Sequence, residues 1–105
     1  MPWYGYLLQF VAGLLLANGV PHFVHGISGA SFQSPFATPR GVGESSPLIN
    51  VLWGFANLAI GLLLLRGFNP ENGDPLVGWL LVGAGALFIG VYLARHFGRV
   101  RAKSP

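Results

Sequence analysis

Apolar and polar positions divide the chain into three long apolar stretches, Met1 to Pro39, Ser45 to Leu65 and Pro75 to Ala94, and none of them contains Asp, Glu, Lys or Arg. At about 1.5 Å of rise per residue, an apolar helix of roughly twenty residues crosses a hydrocarbon core about 30 Å thick. The pattern predicts an all-α integral membrane protein with three transmembrane helices in an up-down arrangement. Pro2, Pro47 and Pro75 suit the first helical position, where no N–H bond is lost, and Ser46 and Asp74 precede the last two as N-caps. Arg66 before Gly67, and His96 before Gly98, put a cation at the negative end of the helix dipole and a glycine where a left-handed cap is wanted. These signals place helix 1 at about 2–25, helix 2 at about 47–66, helix 3 at about 75–97 and a basic tail at 98–105, in one transmembrane domain.

Pro21 removes the hydrogen-bond partner of the Ala17 carbonyl, so a kink or break of helix 1 is expected there. The loop at about 26–46 is rich in Gly, Ser and Pro yet carries Phe32 and Phe36, rings that a solvated linker does not need. It is expected to fold back on the membrane surface or the helix ends, with those rings as anchors. The link Phe68 to Asp74 contains Asn69-Pro70 and Asn72-Gly73, turn chemistry that makes helices 2 and 3 neighbours. The N-terminus lacks the basic region of a signal peptide and Leu16-Ala17-Asn18 is a poor cleavage site, so the first segment is expected to be retained. Trp3, Tyr4 and Tyr6 read as an aromatic belt.

Composition agrees: 52% apolar residues with 9% charged ones cannot dress a water-soluble domain of this size. The absence of Cys excludes disulfides, thiolate metal sites and a Cys nucleophile. Arg95, Arg99, Arg101 and Lys103 crowd the C-terminus, while Arg66 is offset by Glu71 and Asp74. The positive-inside rule then predicts a cytoplasmic C-terminus, a cytoplasmic loop bearing Arg40 and an external N-terminus. The basic tail is first a topology determinant; it also offers anionic lipid a contact, whereas a nucleic-acid role does not fit so short a tail.

Asp, Glu and Lys are missing from the second and third spans, which argues against a proton-coupled exporter or an intramembrane enzyme. On helix 2, Asn50, Gly54, Asn57 and Gly61 form one narrow stripe, a seam where a second backbone approaches closely and amides bond across. On helix 3, Gly83, Ala86, Gly90 and Ala94 offer a complementary small-residue ridge. Asn18, His22 and His25 share a face if the helix survives Pro21, and His96 ends helix 3. Up-down connectivity brings His22, His25, Asn50, Asn57, Tyr92 and His96 to one side of the bilayer. A transition metal on His22, His25 and His96, a haem held by two histidines, and a quinone against Trp53 and Phe23 are three sites that could use this cluster. A structural role, with the histidines bonded to the loop, is the fourth reading. The cofactor stays open.

The residues Pro21-His22-Phe23, Phe32-x-x-Pro35-Phe36-x-x-Pro39, Ser45-Ser46 and Asn50-Val51-x-Trp53-Gly54-x-x-Asn57 resemble those of small bacterial multi-pass membrane proteins of unassigned activity, over roughly residues 13 to 62. The resemblance implies a bacterial inner membrane and no particular chemistry. The reading placed first is a small non-enzymatic membrane protein, an accessory or self-associating subunit acting through the Asn50 to Gly61 seam and the Ala86 to Ala94 ridge, as a homo-oligomer or within a larger complex. The second is a ligand- or cofactor-binding module using His22, His25 and His96 with Asn18, Asn50 and Asn57. A small transporter subunit comes third.

Overall fold

The computed structural model describes residues 1–103. Helix α1 covers Trp3–Ile27, α2 Pro47–Gly67 and α3 Pro75–Ala102. All three are long and apolar enough to cross a membrane. Two-residue strands β1 (Phe32–Gln33) and β2 (Glu44–Ser45) pair antiparallel, Phe32 opposite Ser45, and a short 3-10 turn occupies Pro70–Asn72. The expected caps are present: the Ser46 side chain accepts from the Ile49 N–H, and Asp74 from the Val77 N–H.

Helix α1 lies between the other two. It packs along both α2 and α3, whereas α2 and α3 make almost no direct contact with each other. The expectation that helices 2 and 3 are neighbours is therefore corrected: a short link limits their separation, but the small residues on α1 decide the packing. A Cβ on Gly13 would overlap the Val82 carbonyl, and one on Gly85 the Phe10 carbonyl, so the α1 and α3 backbones meet with no side chain between them. Toward α2, a Cβ on Gly19 would stand 2.8 Å from the Gly54 carbonyl oxygen, and one on Gly54 2.8 Å from the Phe23 Cα. The link between α2 and α3 wraps the first turns of α1, where the Gln9 amide donates to the Phe68 carbonyl at 3.0 Å and the Asp74 N–H donates to the Tyr6 hydroxyl at 3.3 Å.

Pro21 does not end α1, which continues to Ile27. His22 and Gly26, just beyond the proline, are buried, and that packing holds the helix through the lost hydrogen bond. Gly67 and Gly98 do not supply left-handed caps. Positive φ occurs among the described glycines at Gly29 and Gly41, both in the loop. Helix α3 runs through Gly98 to Ala102, so Arg99 and Arg101 stand on the helix with Arg95 rather than in a loose tail, favourably placed at its negative dipole end.

The ridge glycines of α3, Gly83 and Gly90, stand open rather than packed on α1. A side chain added at Gly83 or Gly90 would meet nothing within 4 Å, and Ala94 is exposed, whereas Gly78 and Gly85 are the buried glycines. Small residues surround α3 on several faces, and the spacing alone does not say which face meets α1.

Candidate functional site

Because α1 holds α2 and α3 apart, a gap opens where the C-terminal turns of α1 and α3 meet the start of α2, and the loop folds over it. Strand pairing closes this roof, and the Gly41 N–H donates to the Ser34 carbonyl at 2.9 Å. Beneath lies a cavity of about 300 Å³, floored by Asn18 and His22, walled by Trp53 on α2 and Tyr92, His96 and Phe97 on α3, and roofed by residues between Gln33 and Gly41. Arg40 brings a cation to its lining.

Phe32 anchors the roof. Buried to 3% exposure, its ring stacks on His25 at 4.1 Å between centroids, meets His22 and Phe97 edge-on at 5.3 and 4.7 Å, and carries the Arg101 guanidinium 5.1 Å from its centre. Phe36 instead faces outward, its ring edge-on to Trp53 at 5.2 Å.

Asn50 is the polar centre. Its amide nitrogen donates to the carbonyls of Phe32 (3.1 Å), Ser45 (3.2 Å) and Ser46 (3.1 Å), and its Oδ1 lies 2.9 Å from His22 Nδ1. Carbonyls only accept, so they fix which end of the amide is nitrogen. Oδ1 must then accept, and His22 Nδ1 must carry the hydrogen. In the neutral ring, Nε2 consequently holds the lone pair, and among the described residues no partner engages it. Next to this pair, the Asn18 amide donates to Asn57 Oδ1 at 3.0 Å, and the Asn57 amide donates to the Trp53 carbonyl at 2.8 Å.

Trp53 and Gln33 also line the cavity, but their indole N–H and Oε1 are closed off from it and, among the described residues, have no hydrogen-bond partner. Leaving such a group unpaired costs about 1–3 kcal/mol. The lining holds no carboxylate, thiol or primary amine, and the Ser34 hydroxyl is bonded to that of Ser45 while accepting the Phe36 N–H at 3.1 Å.

The sequence candidates divide into three groups. Asn18, His22 and His96 line the cavity; His96 Nε2 is 2.7 Å from the Gly41 carbonyl, which makes it the donor. Asn50 and Asn57 stand behind the wall and orient His22 and Asn18. His25 is not part of the cavity, since its ring lies on Phe32 and its Nδ1 is held 2.7 Å from the Pro21 carbonyl. The proposed three-histidine set is thus not assembled, and among the described residues no group of His, Asp and Glu could hold a metal ion. The seam Asn50, Gly54, Asn57 and Gly61 is buried against α1 and is not free to meet a second copy. Gln33, Ser34, Arg40 and Gly41 were not among the candidates; a Gln amid loop aromatics was the one available signal. Compared with known protein families, curated proteins and solved structures, the chain matches none.

Proposed function

We propose that this chain is a membrane-embedded binding module for a small molecule. One observation carries the reading: a cavity of about 300 Å³ lies under the loop and is lined by side chains from all three helices and the loop, Asn18, His22, Trp53, Tyr92, His96 and Arg40 among them. His22 Nε2 is an acceptor of fixed sense. Apolar pockets of this size, carrying a few convergent polar groups, are the ordinary form of small-molecule sites. The cation distribution supports placing the cavity in the cytoplasmic half of the bilayer, and the resemblance drawn from the sequence supports a bacterial inner membrane. Native mass spectrometry of protein extracted gently from its membrane tests the reading. Wild type should carry added small-molecule mass that Trp53→Ala and Tyr92→Ala, which remove cavity walls, both lose; a bare wild-type protein, or mass that persists in both variants, refutes it.

A second reading, self-association, is favoured at one place only. The face of α3 bearing Gly83 and Gly90 is open, so a second helix could approach it closely. Gly90→Leu should then abolish cross-linking between copies in the membrane, and unchanged cross-linking removes this reading.

A further inference from the structure

Among the described residues, Arg40 is the one charged side chain of the cavity lining, and no carboxylate there offsets it. Arg95, Arg99, Arg101 and Lys103 stand at the same end of the bundle, where Glu44, exposed on β2, is the one acid. The neutral groups of the lining have a sense as well. His22 Nε2 is an acceptor, and because His96 Nε2 donates to the Gly41 carbonyl, His96 Nδ1 is a second acceptor in the neutral ring. Both rings line the cavity, and neither atom is among the buried polar atoms closed off without a partner. The site thus presents one cation and two acceptors that need hydrogens.

An anion alone meets Arg40 and brings no hydrogens to the imidazoles; a neutral polyol brings hydrogens and no counterion. A phosphodiester joined to a group with free hydroxyls answers both, since its oxygens accept from Arg40 and its hydroxyls donate to the imidazoles. The surroundings say where such a head comes from. Trp53 also borders a groove of about 440 Å³ lined by Phe36, Ile49, Leu52 and Ala56, with no polar side chain other than the indole itself. Leu52 is 57% exposed there, so the groove lies on the side of α2 that α1 does not cover. From Ile49 to Ala56 it descends about 10 Å along the helix axis, the direction in which lipid chains run. Resting on the binding function proposed above, we infer that the ligand is an anionic phospholipid with a hydroxyl-bearing head, its phosphate at Arg40 and an acyl chain in the Phe36–Ala56 groove.

The test adds dioleoyl phosphatidylglycerol, phosphatidylmethanol and phosphatidylcholine in equal amounts to the full chain, washed free of native lipid in detergent, and reads the retention of each by native mass spectrometry. With the same chains, the first carries charge and hydroxyls, the second charge alone, and the third no net charge. Phosphatidylglycerol should be retained about tenfold over phosphatidylcholine, the effect of one charge-assisted hydrogen bond, and about threefold over phosphatidylmethanol. Arg40→Gln should cut the preference over phosphatidylcholine to about twofold or less. Arg95→Gln, which removes the same charge outside the lining, should leave it near the wild-type ratio. Ratios within one sample stay readable even where a variant is less stable. Ala56→Trp fills the groove and should lower retention of all three lipids about threefold with their ratios kept, and Leu52→Trp should do the same from the opposite wall. If wild type retains none of the three, or holds phosphatidylglycerol and phosphatidylcholine alike, the inference falls. It falls equally if the preference survives Arg40→Gln or is lost as much in Arg95→Gln. Equal retention of phosphatidylglycerol and phosphatidylmethanol overturns the hydroxyl assignment, and groove variants that hold lipid as wild type does overturn the tail assignment. Native mass lost in Trp53→Ala and Tyr92→Ala would in each case still uphold the binding function, with a different ligand or a different pose.

Discussion

Asn50→Leu removes the amide that joins His22 to the loop while nearly conserving shape. Four hydrogen bonds of 2.9 to 3.2 Å disappear. The Ser46 carbonyl keeps the Asn50 backbone N–H at 3.1 Å, so the groups that lose a partner are His22 Nδ1–H and the carbonyls of Phe32 and Ser45. Buried hydrogen bonds between helices in membranes average about 0.6 kcal/mol and reach about 1.7, while an orphaned buried group costs about 1–3. Taking about 1 kcal/mol for each of the three groups gives a loss of about 3 kcal/mol. Equilibrium unfolding in a denaturing detergent, followed by tryptophan fluorescence, measures this directly. Because two of the bonds hold the roof, the loop should also lift more often, and trypsin cleavage after the exposed Arg40 should accelerate. A loss below about 0.5 kcal/mol, within the range of an ordinary surface change, together with unaltered cleavage would show that Asn50 does not organise this end of the protein. Asn50→Asp sharpens the test. It keeps an oxygen toward His22 but turns a second oxygen onto three carbonyls, so it should be at least as damaging as Leu. Nitrogen NMR of wild-type His22 should find the hydrogen on Nδ1; finding it on Nε2 contradicts the amide orientation on which the site's bonding pattern rests.

Gly85→Ala should cost about 2 kcal/mol or more, because its methyl group overlaps the Phe10 carbonyl, whereas Gly83→Ala, in open space, should be neutral or stabilising by up to about 1 kcal/mol; detergent unfolding of the two variants decides. Gln33→Met removes an unpaired buried acceptor, so stability should hold or rise by about 1 kcal/mol, and a marked destabilisation would mean that Oε1 has a partner in the folded protein. Arg101→Gln should cost about 0.5–1 kcal/mol through its contacts with Phe32 and Phe97, and should speed cleavage after Arg40; Arg99→Gln, equally exposed but not stacked on those rings, serves as the control for both readings.

The spans were legible because lipid imposes a crude rule, length without charge, and because Pro47, Pro75, Ser46 and Asp74 mark helix starts through local bonding. The helix ends were less legible: Gly67 and Gly98 look like caps, but a glycine allows a left-handed turn without requiring one, and Arg101 draws α3 onward by packing on Phe32. Helix adjacency was misread for a different reason. Turn residues between α2 and α3 report how the chain reverses, while the position of α1 depends on Gly13 and Gly85 meeting on one side and Gly19 and Gly54 on the other. The helical half of the cavity was visible as Asn18, His22 and His96. Its roof was not, since Gln33, Arg40 and Gly41 reach the site through a two-residue strand pair that leaves no periodic trace. His25 was grouped with His22 on sequence separation, yet Phe32 inserted from the loop takes its ring as a stacking surface.

The placement of α1 explains both the cavity and its chemistry. Had α2 and α3 packed against each other, as their short link suggests, the space beside His22 would be filled by their side chains. Held apart, they need something between them at each end. At the end nearer residue 1 the link from Phe68 to Asp74 and the buried Gln9 close the gap; at the other the loop spans it and leaves room beneath. Charged side chains within such a space are costly in a membrane, so apart from Arg40 on the roof the polar side chains of a largely apolar lining are amides, imidazoles, hydroxyls and an indole. Neutral groups of fixed donor or acceptor sense attract weakly, but they reject strongly: a molecule that enters and leaves one of them unpaired loses far more than a missing methylene would cost. Asn50, touching no ligand itself, sets that sense for His22, and in this way a structural hydrogen bond decides what the cavity can hold.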